Sequence, residues 1–80
     1  MYVRITPQRT AKLDALKVGD EVTRMLGGEL PMKLMVTEVT ATEIRCGDWT
    51  FNRMTGAEVD EFLGWDGLTK TGSFLRFDDE

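Results

Sequence analysis

The sequence has no histidine and only one cysteine, Cys46, among its 80 residues. Zinc sites, Cys-His pairs and Ser-His-Asp triads all need residues that such a chain does not supply. A lone cysteine also forms no internal disulfide, the usual support of small exported domains. These absences predict a cytoplasmic protein that is not an enzyme and that holds no metal or cofactor.

Long apolar runs are missing as well. No segment approaches the roughly 18 consecutive apolar residues that are needed to cross a bilayer, and the N-terminal residues do not form the apolar run of a signal peptide. The sequence therefore predicts no membrane partner.

Charge is divided unevenly along the chain. Residues 1–40 carry six Lys or Arg against five Asp or Glu, and residues 41–80 carry four against nine, so the halves have formal charges of +1 and −5. The basic part is an N-terminal arm, and a basic arm can contact nucleic acid, or it can lie on the acidic surface of its own chain or of a neighbouring subunit. The candidate nucleic-acid contacts are Arg4, Arg9, Lys12 and Lys17.

Capping residues and hydrophobic alternation indicate the local structure. Thr6-Pro7 is typical of a helix start, so we predict one short helix over 7–16. Val36 and Val39 share a face only if a β-bulge interrupts their strand near Thr37. The predicted strands are 21–26, 33–40, 43–46, 49–53, 57–60 and 73–77.

Five to six short strands separated by turn residues favour a mainly β fold. We expect a small SH3-like barrel, or a partly open antiparallel barrel, with a short N-terminal helix. A chain of this length has room for one domain, residues 1–80. Its predicted parts are a helical arm (1–17), a β barrel (18–77) and a frayed tail (78–80).

A group of carboxylates follows the fourth strand, namely Glu58, Asp60, Glu61 and Asp66. Alternation along the fifth strand places Glu58 and Asp60 on the outward face, where carboxylates are normally solvated. The spacing does not fit an EF-hand loop. Cys46 is predicted to point inward as an inert thiol.

Two methionines and one tryptophan are the candidate contacts for a protein partner. The strand phases place Met25 and Met35 outward, where methionine suits an adaptable apolar interface. A single helical turn is expected over 61–65, and Trp65 begins a Gly-rich loop, where it either contacts a partner or plugs the open end of the barrel. We expect an interaction module that binds a protein partner or itself as a homo-oligomer; nucleic-acid binding through the basic arm is the alternative.

A short set of motifs also resembles a known family. The motifs are Gly19-Asp20-x-Val22, Gly27-Gly28, Pro31-Met32, and Cys46 followed by Trp49. Over about residues 18–51 they resemble the YodC-like family of small uncharacterised bacterial proteins, which implies a compact bacterial β domain and no catalytic residue. The same opening resembles KOW-type barrels of ribosomal and transcription factors, but residues 29–32 replace the basic Gly-rich loop of those barrels.

Overall fold

The chain begins with a nine-residue helix, α1 (Pro7–Ala15). It starts after Thr6 because the Thr6 hydroxyl accepts a 3.1 Å hydrogen bond from the Arg9 amide, and its first residue is a proline with a helical φ. It ends at Leu16, whose backbone is extended, so the predicted helix is confirmed to within one residue.

No described helix is long and apolar enough to cross a membrane. The computed structural model describes residues 6–27, 29–68 and 72–77.

The described residues form eight short strands in two antiparallel sheets. The three-stranded sheet has the order β2-β1-β8, and the five-stranded sheet has the order β3-β4-β5-β6-β7. The predicted mainly β class with one short helix is confirmed, while the frayed tail at 78–80 lies outside the described residues. The strands are β1 (Glu21–Leu26), β2 (Leu30–Met35), β3 (Glu38–Val39), β4 (Glu43–Cys46), β5 (Trp49–Asn52), β6 (Glu58–Asp60), β7 (Trp65–Asp66) and β8 (Phe74–Arg76).

The strand predicted over 33–40 is split into β2 and β3 because the chain changes sheet between Val36 and Thr37. The Val36 amide donates to the Asp20 carbonyl at 2.9 Å, beside β1, whereas the Thr37 amide donates to the Arg45 carbonyl at 2.7 Å, on β4. The break falls where the bulge was predicted. It lets Val36 join the core and Val39 pack against it.

The two sheets also meet where β6 approaches β8. Ala57 and Phe74 form an isolated antiparallel bridge. On either side of it, the Glu58 amide donates to the Ser73 carbonyl at 2.9 Å and the Leu75 amide donates to the Gly56 carbonyl at 2.8 Å. The described strands thus form two joined, partly open sheets and no closed barrel. A specifically SH3-like arrangement stays a prediction.

The core lies between the helix and both sheets. Ile44 on β4 is the register partner of Phe51 on β5, and both are fully buried, as the alternation predicts. Leu13 on α1 is also fully buried, so the helix contributes a side chain to the core. The buried cluster consists of Leu13, Val22, Val36, Ile44, Cys46, Phe51 and Leu75.

Gly56 allows the helix to pack against the turn between β5 and β6. Its φ is +75°, a conformation that favours glycine. A Cβ at this position would lie 2.5 Å from Nη2 of Arg9 and 3.3 Å from Cδ2 of Leu13. The turn therefore needs glycine for its backbone conformation and for the space that the helix occupies.

Gly56→Ala should destabilise the protein more than the matched variant Gly27→Ala. Gly27 also has a positive φ, +60°, but a Cβ there would meet no atom within 4 Å. We expect urea unfolding to show a loss of about 1 kcal/mol for Gly27→Ala and about 2–4 kcal/mol for Gly56→Ala. Equal losses would show that contact with the helix does not constrain this turn.

Candidate functional site

Glu58 is buried, which corrects the outward position predicted for it. In the register of β5 and β6 it lies opposite Phe51, and directly opposed residues of antiparallel strands share a face. Phe51 belongs to the core, so Glu58 points to the core too. The pairing between strands, and not the alternation within β6, sets the direction of this carboxylate.

The carboxylate of Glu58 forms a buried ion pair with Arg24. The Nε atom of Arg24 donates to Oε1 of Glu58 at 2.7 Å, which connects β1 in one sheet with β6 in the other. The guanidinium carbon lies 5.3 Å from the ring centroid of Trp49, and Nη1 lies 3.1 Å from the sulfur of Met32. The carboxylate and the aromatic ring offset part of the cost of burying this charge.

Cys46 points inward, as predicted, and only 2% of its surface is exposed. Burial raises the pKa of its thiol from 9.0 to about 11, because an apolar environment disfavours the thiolate. Among the residues that the structure describes, no group of three or more His, Cys, Asp or Glu side chains is placed to hold a metal ion.

The described cations of the predicted basic arm, Arg9, Lys12 and Lys17, differ in exposure. Arg9 is buried, and its Nε and Nη2 atoms donate to the Thr55 carbonyl at 2.9 and 2.7 Å. Arg9 therefore lacks the exposure that the predicted nucleic-acid contact requires. Lys12 lies 5.7 Å from the ring centroid of Phe77, Lys17 is exposed, and Arg4 lies outside the described residues.

A cleft of about 450 Å³ separates α1 from the turns that follow β3 and β5. Arg53 lines it and holds its walls together: Nη1 donates to the Thr40 carbonyl at 2.9 Å and Nη2 to the Asp14 carbonyl at 3.4 Å. Its buried Nε finds no acceptor among the described residues. The guanidinium thus ties the end of the helix to the β3–β4 turn.

Met25 and Met35 differ in exposure, although both were predicted to face outward. Met35 is 62% exposed, but Met25 is only 7% exposed, so its predicted position is wrong. The reason is that β1 is the central strand of its sheet. Met25 lies between Pro31 on β2 and Phe74 on β8, and such neighbours cover a side chain on their common face.

Trp65 is half-buried, between the two alternatives that the sequence left open. It lies in β7, paired with Asp60 of β6, so the helical turn expected over 61–65 is replaced by a tight turn followed by a strand. The indole packs against Gly72, where an added Cβ would overlap the ring. Together with Asp60, Trp65 thus forms the residue pair that closes the turn between β6 and β7.

Exposed apolar side chains lie in the turn of this hairpin and just beyond β7. Phe62 is fully exposed, at 101% of its reference surface, and Leu63 and Leu68 are 58% and 46% exposed. We call residues 60–68 the β6–β7 tip. The tip presents three large apolar side chains to solvent within seven residues of sequence.

Side-chain oxygens and a glycine hold the turn of the β6–β7 tip in one shape. The Oδ1 atom of Asp60 accepts hydrogen bonds from the amides of Phe62 at 2.9 Å and Leu63 at 3.2 Å. The Gly64 amide donates to the Glu61 carbonyl at 3.3 Å, and Gly64 has a φ of +72°. Such an Asx turn orders the backbone locally.

The base of the β6–β7 tip is fixed to the sheet. The hydroxyl of Thr55 donates to the Gly67 carbonyl, and Oδ1 of Asp66 accepts from the Leu68 amide at 2.8 Å. A Cβ on Gly67 would lie 2.8 Å from Cγ2 of Val59 and 2.9 Å from Cβ of Asn52. The exposed side chains therefore stand on an ordered support.

The Trp65 loop was predicted from the sequence, but the exposure of Phe62, Leu63 and Leu68 was not. A usable signal was present, since the adjacent pair Phe62-Leu63 stands between Asp60 and Gly64, and both of these flanking residues favour turns. An apolar pair at the centre of a tight turn has no neighbouring strand to cover it.

We compared this chain with protein-family profiles, curated proteins and solved structures, and none of them matched it. The resemblance to the YodC-like family therefore stays a prediction.

Removing one partner of the buried ion pair should be costly. Glu58→Gln leaves the buried Arg24 charge without its carboxylate, and we expect the free energy of unfolding to fall by about 3–5 kcal/mol. The matched variant Glu38→Gln breaks a half-exposed pair with Arg45 at 3.8 Å and should cost at most about 1 kcal/mol. Urea unfolding measures both.

A double variant distinguishes two causes of the stability loss, the unpaired charge of Arg24 and the loss of packing. Arg24→Met/Glu58→Leu removes both buried charges, so it should be more stable than Glu58→Gln alone. A double variant as unstable as the single one would show that packing, and not the unpaired charge, accounts for the loss.

Cys46 should react slowly in the folded protein. Because its folded pKa of about 11 exceeds the ordinary value of 9.0, alkylation by iodoacetamide at pH 8 should be slower in native buffer than in urea and should accelerate up to about pH 11. The same shift stabilises the fold below pH 9, and this contribution is lost as the pH rises toward 11. Mass spectrometry follows the labelling; equal rates in both buffers would contradict burial of the thiol.

Proposed function

We propose that this protein is a non-enzymatic interaction module that binds a protein partner through the β6–β7 tip. The observation that carries the proposal is the complete exposure of Phe62 on a turn ordered by Asp60. Single exposed apolar residues are common on protein surfaces. Here, however, the adjacent Leu63 is exposed in the same turn, and Leu68 is exposed just beyond β7.

The energetics favour a contact at this place. Burying a phenylalanine side chain contributes about 1.5–3 kcal/mol, and aromatic residues are frequent among the residues that dominate binding energy. The turn is already held by the Asp60 carboxylate and by Gly64. Binding therefore requires little further ordering of the backbone, so that more of the contact energy appears as affinity.

The proposed contact residues differ in part from those expected from the sequence, which were Met25, Met35 and Trp65. Met25 is buried and leaves the proposed contact surface, and Trp65 is half-buried against Gly72. Met35 is exposed on β2 of the other sheet. The proposal therefore rests on Phe62, Leu63 and Leu68.

Phe62→Ser should change binding but not folding. The side chain is fully exposed, so we expect the free energy of unfolding to change by less than about 0.5 kcal/mol. Leu13→Ala, which opens a cavity in the core, should lose about 2–5 kcal/mol. A large loss of stability in Phe62→Ser would indicate that this residue has a structural role.

Photo-crosslinking in cells tests the contact directly. A benzoyl-phenylalanine at position 62 should give a discrete crosslinked product, and the same group at Val18, which is equally apolar and 63% exposed in a different turn, should not. Leu63→Ser in the crosslinking variant should reduce the product. The same products from both positions, or none from position 62, would refute the proposal. A product of twice 9.1 kDa would identify a second copy of the chain as the partner.

A further inference from the structure

We infer that the partner of the β6–β7 tip is a basic protein surface, in which an apolar site is flanked by Lys or Arg. This inference rests on the proposed function and adds the chemistry of the partner. Its basis is the charge of the hairpin. Residues 59–68 contain Asp60, Glu61 and Asp66 and no Lys or Arg, so they carry a formal charge of −3 within a chain of net charge −4.

The charge of the tip is not neutralised by ion pairs at Asp60 or Glu61. The ion pairs in which both members are described residues include those of Arg24 with Glu58, of Lys33 with Glu21, and of Arg45 with Glu38 and Glu43. Neither Asp60 nor Glu61 forms one with any residue that the structure describes. A partner can therefore pair with them without breaking an ion pair to any described residue.

The position of these carboxylates suits a rim around an apolar anchor. Asp60 is fixed beside Phe62, because its Oδ1 accepts the Phe62 and Leu63 amides. Glu61 is exposed and directly precedes Phe62 in the turn. Apolar centres surrounded by charged rims are typical of protein interfaces, and the rim determines association rate and specificity more than total affinity.

The same charges argue against other occupants of the tip. Nucleic acid and anionic bilayers are negatively charged and would be repelled. Two copies meeting tip to tip would bring their own carboxylates together, and like charges in an interface cost free energy. A basic protein segment is the occupant that complements both the apolar residues and the charge.

Two designed peptides test this chemistry. Both are amphipathic helices of about 18 residues with the same Leu face, one with Lys and the other with Glu on its polar face. Fluorescence anisotropy at about 50 and 200 mM salt measures their binding to the full chain. We expect the Leu/Lys peptide to bind at least about tenfold more tightly at the lower salt concentration, with a difference that shrinks at the higher one.

Three variants separate the contributions. Phe62→Ser should weaken binding of the Leu/Lys peptide by about tenfold. Glu61→Lys should weaken it by about three- to tenfold and reduce the salt dependence. Glu29→Lys makes the same change of charge at an exposed position in the β1–β2 turn and should have a smaller effect.

The outcomes distinguish this inference from the proposed function. If the Leu/Glu peptide binds equally well and Phe62→Ser still weakens both, the apolar tip stands and the basic partner is refuted. If Glu61→Lys and Glu29→Lys weaken binding equally, the attraction belongs to the whole chain and the inference also fails. If Phe62→Ser has no effect on either peptide, the proposed function fails. If anionic vesicles, single-stranded DNA or a second copy of the chain bind, and this binding is lost in Phe62→Ser, that ligand and not a basic protein surface is the partner of the tip.

Discussion

The ion pair between Arg24 and Glu58 is the constraint that links the parts of this structure. Each charge is buried, so each requires the other, and the two lie in different sheets. A one-residue shift of β6 would turn Glu58 away from the core and leave Arg24 unpaired. The pair therefore favours one register of β6, and that register decides where the chain leaves the core to form the β6–β7 tip.

Much of the fold could be predicted because its signals are local. Strands β1 and β4 match the predicted ranges at both ends, and the helix matches at its first residue, since alternation, a Thr cap and a proline all act over a few residues. The division of the second strand and the existence of β7 could not be predicted. Strands of two residues, such as β3 and β7, are too short to show a period.

Side-chain burial was harder to predict because it depends on distant partners. Glu58 was expected to be solvated, but its partner Arg24 is 34 residues away in sequence. Arg9 counts as a basic residue of the N-terminus, yet its guanidinium binds the Thr55 carbonyl, 46 residues away. Met25 was assigned outward from the alternation of its own strand, whereas its two neighbouring strands cover it. Composition and periodicity do not contain these contacts.

In the β6–β7 tip, the residues that hold the turn in place differ from the residues that the turn exposes. Its supports are Asp60 at one end and Gly67, held by Thr55, at the other. Residues 61–64 form the turn between these supports. Phe62 in this turn is wholly exposed to solvent and does not belong to the buried cluster. The turn can therefore vary in sequence at little cost to the core, as surface loops on an ordered framework commonly do. A framework of this kind would allow related chains to acquire different partners while keeping the same fold, and it offers a compact scaffold for grafting new recognition sequences.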